Sequence, residues 1–323
     1  MGTPNLGHQG AFLGLGVEST WGTAVTRTNF IRAKRLGMRR TIETAVRGAM
    51  GTQGTTDLNA RTLYQTRNVA GGPIAIECGY SDSTVLLFRE WIGSVATAGA
   101  GPYTHTMTPT VPASLPVGLT IEQAFGRRST TNDAEVYEGC LVAGGTFRCA
   151  PGEVAELELD IIAETSGGRT SASSATYSSN DYPILHSHAG VLAWHSLSDR
   201  VLSLEISVSN SLARRYLLGS NDTAKPYPSS MMEIIVRATR EYDENTVYAD
   251  YLAQTTGNDL TISFSDSPRS LAFTVHNAVC IDFADTVQAG VTTQQITWRA
   301  LSDGTDEGIA AVFTNANSAA TAN

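Results

Sequence analysis

Charged residues are scarce in this sequence: they make up only 16% of the 323 residues, whereas about a quarter is usual for a soluble domain. The surface must therefore be rich in Ser, Thr, Asn and Gly. Such a surface is typical of a protein that becomes buried in an assembly, where charges would have to be desolvated or paired. The formal net charge of −9 argues against a protein that grips nucleic acid, which requires clustered Lys and Arg.

Long apolar segments and paired cysteines are also missing. No run of about 18 apolar residues occurs, so no membrane span is expected, and the polar, Gly-rich segment 1–10 does not have the basic and apolar parts of a signal peptide. No two cysteines form a CxxC pair, which argues against a zinc ribbon or a thioredoxin motif. We expect buried free thiols at Cys78, Cys140, Cys149 and Cys280.

Motifs of catalysis are absent as well. The sequence contains no P-loop, GxSxG or HExxH motif, and Gly14-Leu-Gly16 lacks the third glycine of a dinucleotide fingerprint. His186 and His188, with His195 nearby, have the spacing of metal ligands on a strand, but no carboxylate or cysteine stands at a suitable distance from them. The sequence therefore predicts no catalytic residue, no cofactor and no metal site.

What the sequence does contain is a succession of short alternating segments. They predict a mainly β protein with two short helices, at 84–95 and 244–255. The most regular segment is 154–161, in which apolar and acidic residues alternate, so that one face is predicted to join the core and the other to carry carboxylates. The core side chains are Leu157, Leu159 and Ile161, and the carboxylates are Glu156, Glu158 and Asp160.

The same order of elements occurs twice along the chain. Strand, helix, strand, hairpin strand, turn and strand follow one another in 73–163 and again in 231–300, although residue identity is poor. This alignment sets 119–122 beside 271–274. With a Ser/Gly-rich linker between the repeats, the sequence predicts an N-terminal arm at 1–27, a first module at 28–165, a linker at 166–182, a second module at 183–310 and a flexible tail at 311–323.

Three features carry a resemblance to a known family. The first is the segment 14–25, GLGVESTWGTAV, with its G-x-E-x-x-aromatic-G-T pattern. The second is the Asn/Arg-rich turn at 212–219 ahead of the strand at 231–240, and the third is the closing hairpin around Pro151-Gly152. Through these features, over 13–300, the chain resembles the tail tube proteins of phages with long, flexible, non-contractile tails.

The resemblance implies a β-sandwich or partial barrel flanked by a helix, with two tandem tube modules if the repeat is real. It implies rings of six modules, made by three chains with pseudo-sixfold symmetry or by six chains, stacked into a tube in the virion tail after assembly in the host cytoplasm. DNA would pass through the lumen during ejection without specific binding. The implied partners are further copies of the chain, the tape measure protein, the tail terminator and the distal tail proteins.

Two groups of residues are candidates for this role. Glu156, Glu158 and Asp160 are expected to line the lumen and repel phosphate, although alternating strands often carry such a solvated face. The arm and the loops at 97–116 and 126–133 are expected to reach the next ring. The candidates for inter-ring contacts are Glu18, Trp21, Arg32, Arg35 and Arg39.

Two other interpretations remain open from the sequence. One is a different β-structural protein of a phage or a secretion system, such as a tail terminator or a secreted tube-forming protein. The other is a carbohydrate-binding β-sandwich on a virion, for which exposed aromatic side chains clustered on loops would be expected.

Overall fold

The computed structural model describes residues 10–46, 63–110, 115–126, 133–179, 181–195, 197–199, 201–241, 246–288, 291–302 and 308–316. Strands account for 62% of the structure and helices for 8%, so the predicted mainly β fold is confirmed. Neither described helix has the length and apolar character needed to cross a bilayer. The predicted free thiols are confirmed too, because all four cysteines are buried and unpaired.

The elements follow one another as β1 (Phe12–Val17), β2 (Asn29–Leu36), β3 (Arg39–Val46), β4 (Leu63–Glu77), α1 (Asp82–Ile92), β5 (Gly93–Ala98), β6 (Tyr103–Pro109), β7 (Leu119–Ala124), β8 (Ala134–Cys149), β9 (Glu156–Ala163), β10 (Thr165–Thr170), β11 (Leu192–Trp194), β12 (Leu197–Asp199), β13 (Val201–Ser209), β14 (Leu212–Arg215), β15 (Ala224–Pro228), β16 (Glu233–Glu241), α2 (Thr246–Ala253), β17 (Leu260–Asp266), β18 (Arg269–Val275), β19 (Ala278–Gln288), β20 (Val291–Ala300) and β21 (Ile309–Asn315).

The first half of the chain closes six strands into an antiparallel barrel. β1 pairs with β2, β2 with β4, β4 with β9, β9 with β8, β8 with β7, and β7 returns to β1. Alternation decides which side chains face inward: Leu13 and Leu15 of β1 and Leu157 and Leu159 of β9 are all buried. Closure leaves no free edge around most of this half.

The barrel is continuous with the sheet of the second half. The last residues of β8 pair with β13, which is followed across the sheet by β16, β20 and β19. Phe147 stands opposite Ile206 and Arg148 opposite Glu205. We call the β8–β13 pairing the inner junction. Because of it, the strands of the two halves form one twelve-stranded sheet.

A second, seven-stranded sheet completes the core. Its strand order is β12, β11, β17, β18, β21, β6 and β5, so β21 joins the hairpin of one half to that of the other. The ring of Phe147 lies 5.5 Å from that of Phe264 and 5.1 Å from that of Phe273, measured between centroids. Phe88 of α1 lies 6.1 Å from Phe147. One aromatic cluster therefore ties α1 to both sheets.

The pairing order of the first half recurs in the second. In the first, β4 leads into α1 and the β5–β6 hairpin, and the sheet runs β4, β9, β8. In the second, β16 leads into α2 and the β17–β18 hairpin, and the sheet runs β16, β20, β19. The two orders match except that β7, between β6 and β8, has no counterpart in the second half.

The alignment of 119–122 with 271–274 is wrong in detail. β7 pairs with β1 and β8 in the barrel, whereas β18 pairs with β17 and β21 in the other sheet. Both strands alternate in the same way, and alternation does not report the strand that a segment pairs with. The counterparts of β17 and β18 are β5 and β6.

Several segments predicted as arm, loop, linker or tail are strands. The arm at 1–27 contains β1, which is one of the six strands of the barrel wall. The loop at 97–116 contains β6, the linker at 166–182 begins with β10, and the tail at 311–323 begins within β21. Each of these strands has at least one partner outside its own neighbourhood in the sequence, so a local pattern rich in Gly, Ser or Thr concealed it. Residues 1–9, 111–114, 127–132 and 317–323 lie outside the described residues.

Candidate functional surface

The outer face of the large sheet carries a ladder of ion pairs. Glu156, Glu158 and Asp160 alternate along β9 with buried apolar residues, as their spacing predicts. Two of the three meet cations from β2: Lys34 Nζ lies 2.7 Å from Glu156 Oε2, and Arg35 Nη1 lies 2.7 Å from Glu158 Oε1. The hydrogen bond to Glu156 raises the pKa of Lys34.

The ladder continues across the inner junction. Arg148 Nε lies 3.0 Å from one Glu205 oxygen and Arg237 Nη1 lies 2.8 Å from the other. Further along, Arg299 pairs with Glu233. Each of these five basic side chains has a carboxylate partner. The sequence predicted a purely acidic row because its cations lie on strands distant in sequence.

This face is concave over the second half. A hollow of about 630 Å³ lies between β8, β13, β16, β20 and β19. Its lining is polar and includes side chains of the ion-pair ladder, Arg148, Glu156, Glu205 and Arg237, together with Asp282 and Gln295. The sheet therefore curves around the charged face.

Several strands have an edge without a partner among the described residues: the end strands β3, β5 and β12, and also β19 and β2. β19 is the last strand of the large sheet and pairs only with β20. β2 pairs with β1 at 29–32 and with β4 at 33–36, on opposite sides, so the last four residues of β2 are open on the side that β1 has left. Open edges of this kind are a hazard in a monomer unless another chain completes them.

Apolar side chains accompany the open edges of β19 and β2. Phe283 of β19 and Leu36 of β2 are only partly buried, although each packs against the main core. On β19, Ile281 is 39% and Val287 73% exposed. Half-covered apolar side chains beside unpaired backbone are a combination that strand addition would bury.

The residues predicted to contact another ring divide into three groups. Glu18 is buried and accepts hydrogen bonds from Gly22 N, Thr120 Oγ1 and Gly139 N at 2.8–3.0 Å. It serves this chain's own fold, and we withdraw it as a contact residue. Arg35 belongs to the ion-pair ladder.

The third group comprises Trp21, Arg32 and Arg39. Trp21 is half-buried, Arg32 is exposed with its guanidinium 4.9 Å from the ring centroid of Tyr177, and Arg39 is exposed on β3. These three retain surface for a neighbour. Sequence reasoning missed Phe283 and Leu36, although the recurrence of Phe147 as Phe283 in the repeated strand was a usable signal.

The histidine and tryptophan side chains bear on the metal-binding and carbohydrate-binding alternatives. Within the described ranges, no three His, Cys, Asp or Glu side chains converge as metal ligands. His186 and His188 lie in a short 3-10 turn, and His188 Nδ1 lies 3.5 Å from the Tyr80 hydroxyl. Trp91, Trp194 and Trp298 are fully buried, so they cannot provide the exposed aromatic cluster that a carbohydrate-binding surface would need.

Two strand units of matching order in one sheet, with a charged concave face and open strand edges, are features of a β protein whose sheet a further strand can extend. A search of curated proteins found no match to the chain. The model of a family described as phage tail tube protein matches residues 9–300. The chain therefore belongs to the phage tail tube protein family, as its resemblance predicted. Membership indicates a structural, non-enzymatic role in the virion tail and self-assembly into a tube.

Proposed function

We propose that three copies of this chain close into a ring with pseudo-sixfold symmetry, and that stacked rings form the conduit for DNA ejection. The observation that carries the proposal is the inner junction. It joins two four-strand units of matching order, β2-β4-β9-β8 and β13-β16-β20-β19. The unit edges that remain open, β19 and β2, are the counterparts of β8 and β13.

Repetition of one junction would generate the proposed ring. Within the chain, β8 of the first unit meets β13 of the second. Between chains, β19 would meet β2 of the next copy in the same antiparallel sense. A heterologous contact of this kind closes if the rotation permits and otherwise grows without end. Both halves of every chain would then contribute strands to one wall.

The width of duplex DNA favours six units. Strands lie about 4.8 Å apart, so six four-strand units have a circumference of about 115 Å and a backbone diameter of about 37 Å. Side chains extend inward by about 5 Å on each wall, leaving a bore of about 27 Å, which admits a duplex roughly 20 Å wide. Three units would be too narrow, and twelve, from both halves of six chains, would be far too wide.

The charged concave face is the proposed lumen wall. A wall that transmits DNA must not hold it, and holding requires basic side chains free to displace counterions from phosphates. Lys34, Arg35, Arg148, Arg237 and Arg299 each contact a carboxylate, with Glu205 shared by Arg148 and Arg237. Glu156 and Glu158 thus act as members of a balanced wall, in which Asp160 provides the fifth carboxylate against the five cations.

Electron microscopy of the concentrated protein tests the proposal. We expect rings or tubes, with six similar density units around the bore and three chains per ring by mass. Monomers at every concentration would contradict assembly altogether. A ring of six chains with only one unit of each at the bore would contradict the three-chain arrangement.

We also propose that the assembled tube binds other tail proteins. The tape measure protein would occupy the bore before DNA does, and the tail terminator and distal tail proteins would bind the two ends of the tube. Trp21, Arg32 and Arg39 remain the proposed inter-ring contacts. Changing Arg39 to Glu is expected to shorten tubes while leaving single rings intact.

A further inference from the structure

The inner junction and the proposed β19–β2 junction can be aligned residue by residue, because both halves of the chain contain the same short sequence feature. Ile74 of β4 and Val236 of β16 lie at the same distance before a Thr-Val pair in the helix that follows, Thr84-Val85 in α1 and Thr246-Val247 in α2. Ile74 is opposite Leu36 and Val236 is opposite Ile206. Leu36 on β2 is therefore the counterpart of Ile206 on β13.

The same correspondence fixes the other strand. Ile76 faces Leu157 on β9, and its counterpart Ala238 faces Ile296 on β20. Leu157 faces Phe147, and Ile296 faces Phe283. Since Phe147 meets Ile206 at the inner junction, Phe283 should meet Leu36 of the next chain. The two partly buried side chains at the open edges thus become an apolar pair.

The charged side chains on corresponding strands of the two junctions have opposite signs. At the inner junction the cation, Arg148, is on β8 and the anion, Glu205, is on β13, with 3.0 Å between them. The counterpart of Glu205 is Arg35, because Glu205 faces Arg237 and Arg35 faces Ala75 in matching positions. On β19 the position of Arg148 is taken by Ala284, and Asp282 is the next residue on that face.

We propose that this exchange of sign specifies which edges pair. It rests on the proposed ring. Correct addition brings Arg35 diagonally beside Asp282 of the neighbouring chain, within reach of a long side chain. Pairing β19 with another chain's β13 would instead set Asp282 beside Glu205, and pairing β2 with β8 would set Arg35 beside Arg148. Both wrong combinations oppose like charges, so the two units alternate around the ring and strand exchange between chains is disfavoured.

Charge reversal with rescue tests the pair. Arg35→Glu and Asp282→Arg should each raise the critical concentration for assembly at least about tenfold, measured by light scattering and checked by microscopy. The double variant should return to within about threefold of the wild type. Arg299→Glu is the matched control: it also sets a glutamate beside its former partner, Glu233, but on an interior strand, so assembly should be nearly unchanged.

The outcomes separate this inference from the ring itself. Single variants that assemble like the wild type, or a double variant no better than the singles, would overturn the sign rule while leaving wild-type tubes in place. Absence of wild-type tubes would instead overturn the proposed function. Equal melting temperatures of the monomers verify that the variants are folded, since Arg35 and Asp282 are exposed.

Mixing the two single variants extends the test. Each variant opposes like charges when it meets itself but pairs correctly with the other, so the mixture must alternate around a ring. A ring of three chains cannot alternate without one mismatched junction. Short open oligomers from the mixture, together with full rings from the double variant, support both the sign rule and the three-chain ring. Complete rings from the mixture would keep the sign rule and exclude an odd number of chains.

Discussion

The first half of the molecule is closed and the second is open, although their strands pair in the same order. β7 and β1 complete the barrel around β8 and β2 in the first half. In the second, the preceding strands β11 and β12 join the other sheet, and β19 keeps a free edge. The additional strands of the first half therefore mark the part that stabilises the monomer. The unpaired edge of β19 in the second half, together with the open end of β2, is the part proposed to add a neighbour.

The largest expected effect is on stability and assembly when the equivalent residues Phe147 and Phe283 are replaced. Phe147 is fully buried in the aromatic cluster, so Phe147→Ala should lower the free energy of unfolding by about 3–5 kcal/mol. Phe283 lies at the open edge and is only partly buried. Phe283→Ala removes contacts with the rings of Tyr248 and Tyr251, so it should cost the monomer about 1–2 kcal/mol but should prevent assembly.

Urea unfolding of the monomers measures the predicted loss of stability, and microscopy of the concentrated variants measures assembly. Equal losses of stability in both variants would mean that the open edge is part of the monomer's core. Normal tubes from Phe283→Ala would mean that β19 is not a joining edge.

Barrel closure gives the next largest effect. Glu18, directly after β1, accepts hydrogen bonds from groups on β7 and β8, Thr120 Oγ1 and Gly139 N, as well as from Gly22 N. Glu18→Ala leaves these donors buried without a partner and should cost about 2–3 kcal/mol. Glu18→Gln keeps one acceptor oxygen and should cost less. An unfolding free energy unchanged in the alanine variant would show that the segment after β1 does not hold the barrel closed.

The comparison also explains what the sequence could and could not predict. The alternation in 154–161 placed Leu157, Glu158 and their neighbours on the correct faces, because side-chain direction has a period of two in any strand. The order of elements predicted the repeat, since hairpins and helices leave local signals. Closure of the barrel by β1 could not be predicted. The strand Phe12–Val17 pairs with β7 about a hundred residues away, and no local pattern encodes that partner.

The candidate surface was predicted in part for the same reason. Three carboxylates along one strand were visible in the sequence, but the cations that meet them lie on β2 and β8, and only the sheet order brings Arg35 next to Glu158. Glu18 was misassigned because a charged residue in a Gly-rich segment usually indicates exposure. Its burial depends on donors from two distant strands. A sequence shows which residues are charged, but the fold decides which partners neutralise those charges or form hydrogen bonds with them.

The smallest expected effect is on the pH dependence of stability, and it also distinguishes the two halves of the molecule. Glu164, at the end of β9, has Oε2 buried with no hydrogen-bond partner in the described residues. Burial, followed by the charges of Asp222, Glu18 and Glu138, raises its pKa. Burial and Glu18 likewise raise the pKa of Glu138.

A carboxyl group with a raised pKa in the folded state favours folding when protonated. Its contribution is therefore full below the unfolded value of about 4.3 and is lost as pH rises through the higher folded value. Glu164→Gln removes this dependence, so its melting temperature relative to wild type should rise between pH 4 and pH 7, by a few degrees at most because the side chain is partly solvated. Glu233→Gln in the second half, a surface member of the ion-pair ladder, is the size-matched control and should not gain stability over that range. If the two variants show the same pH dependence, the carboxylates beside the closed barrel do not differ from those of the open half, and the contrast between the halves is confined to strand pairing.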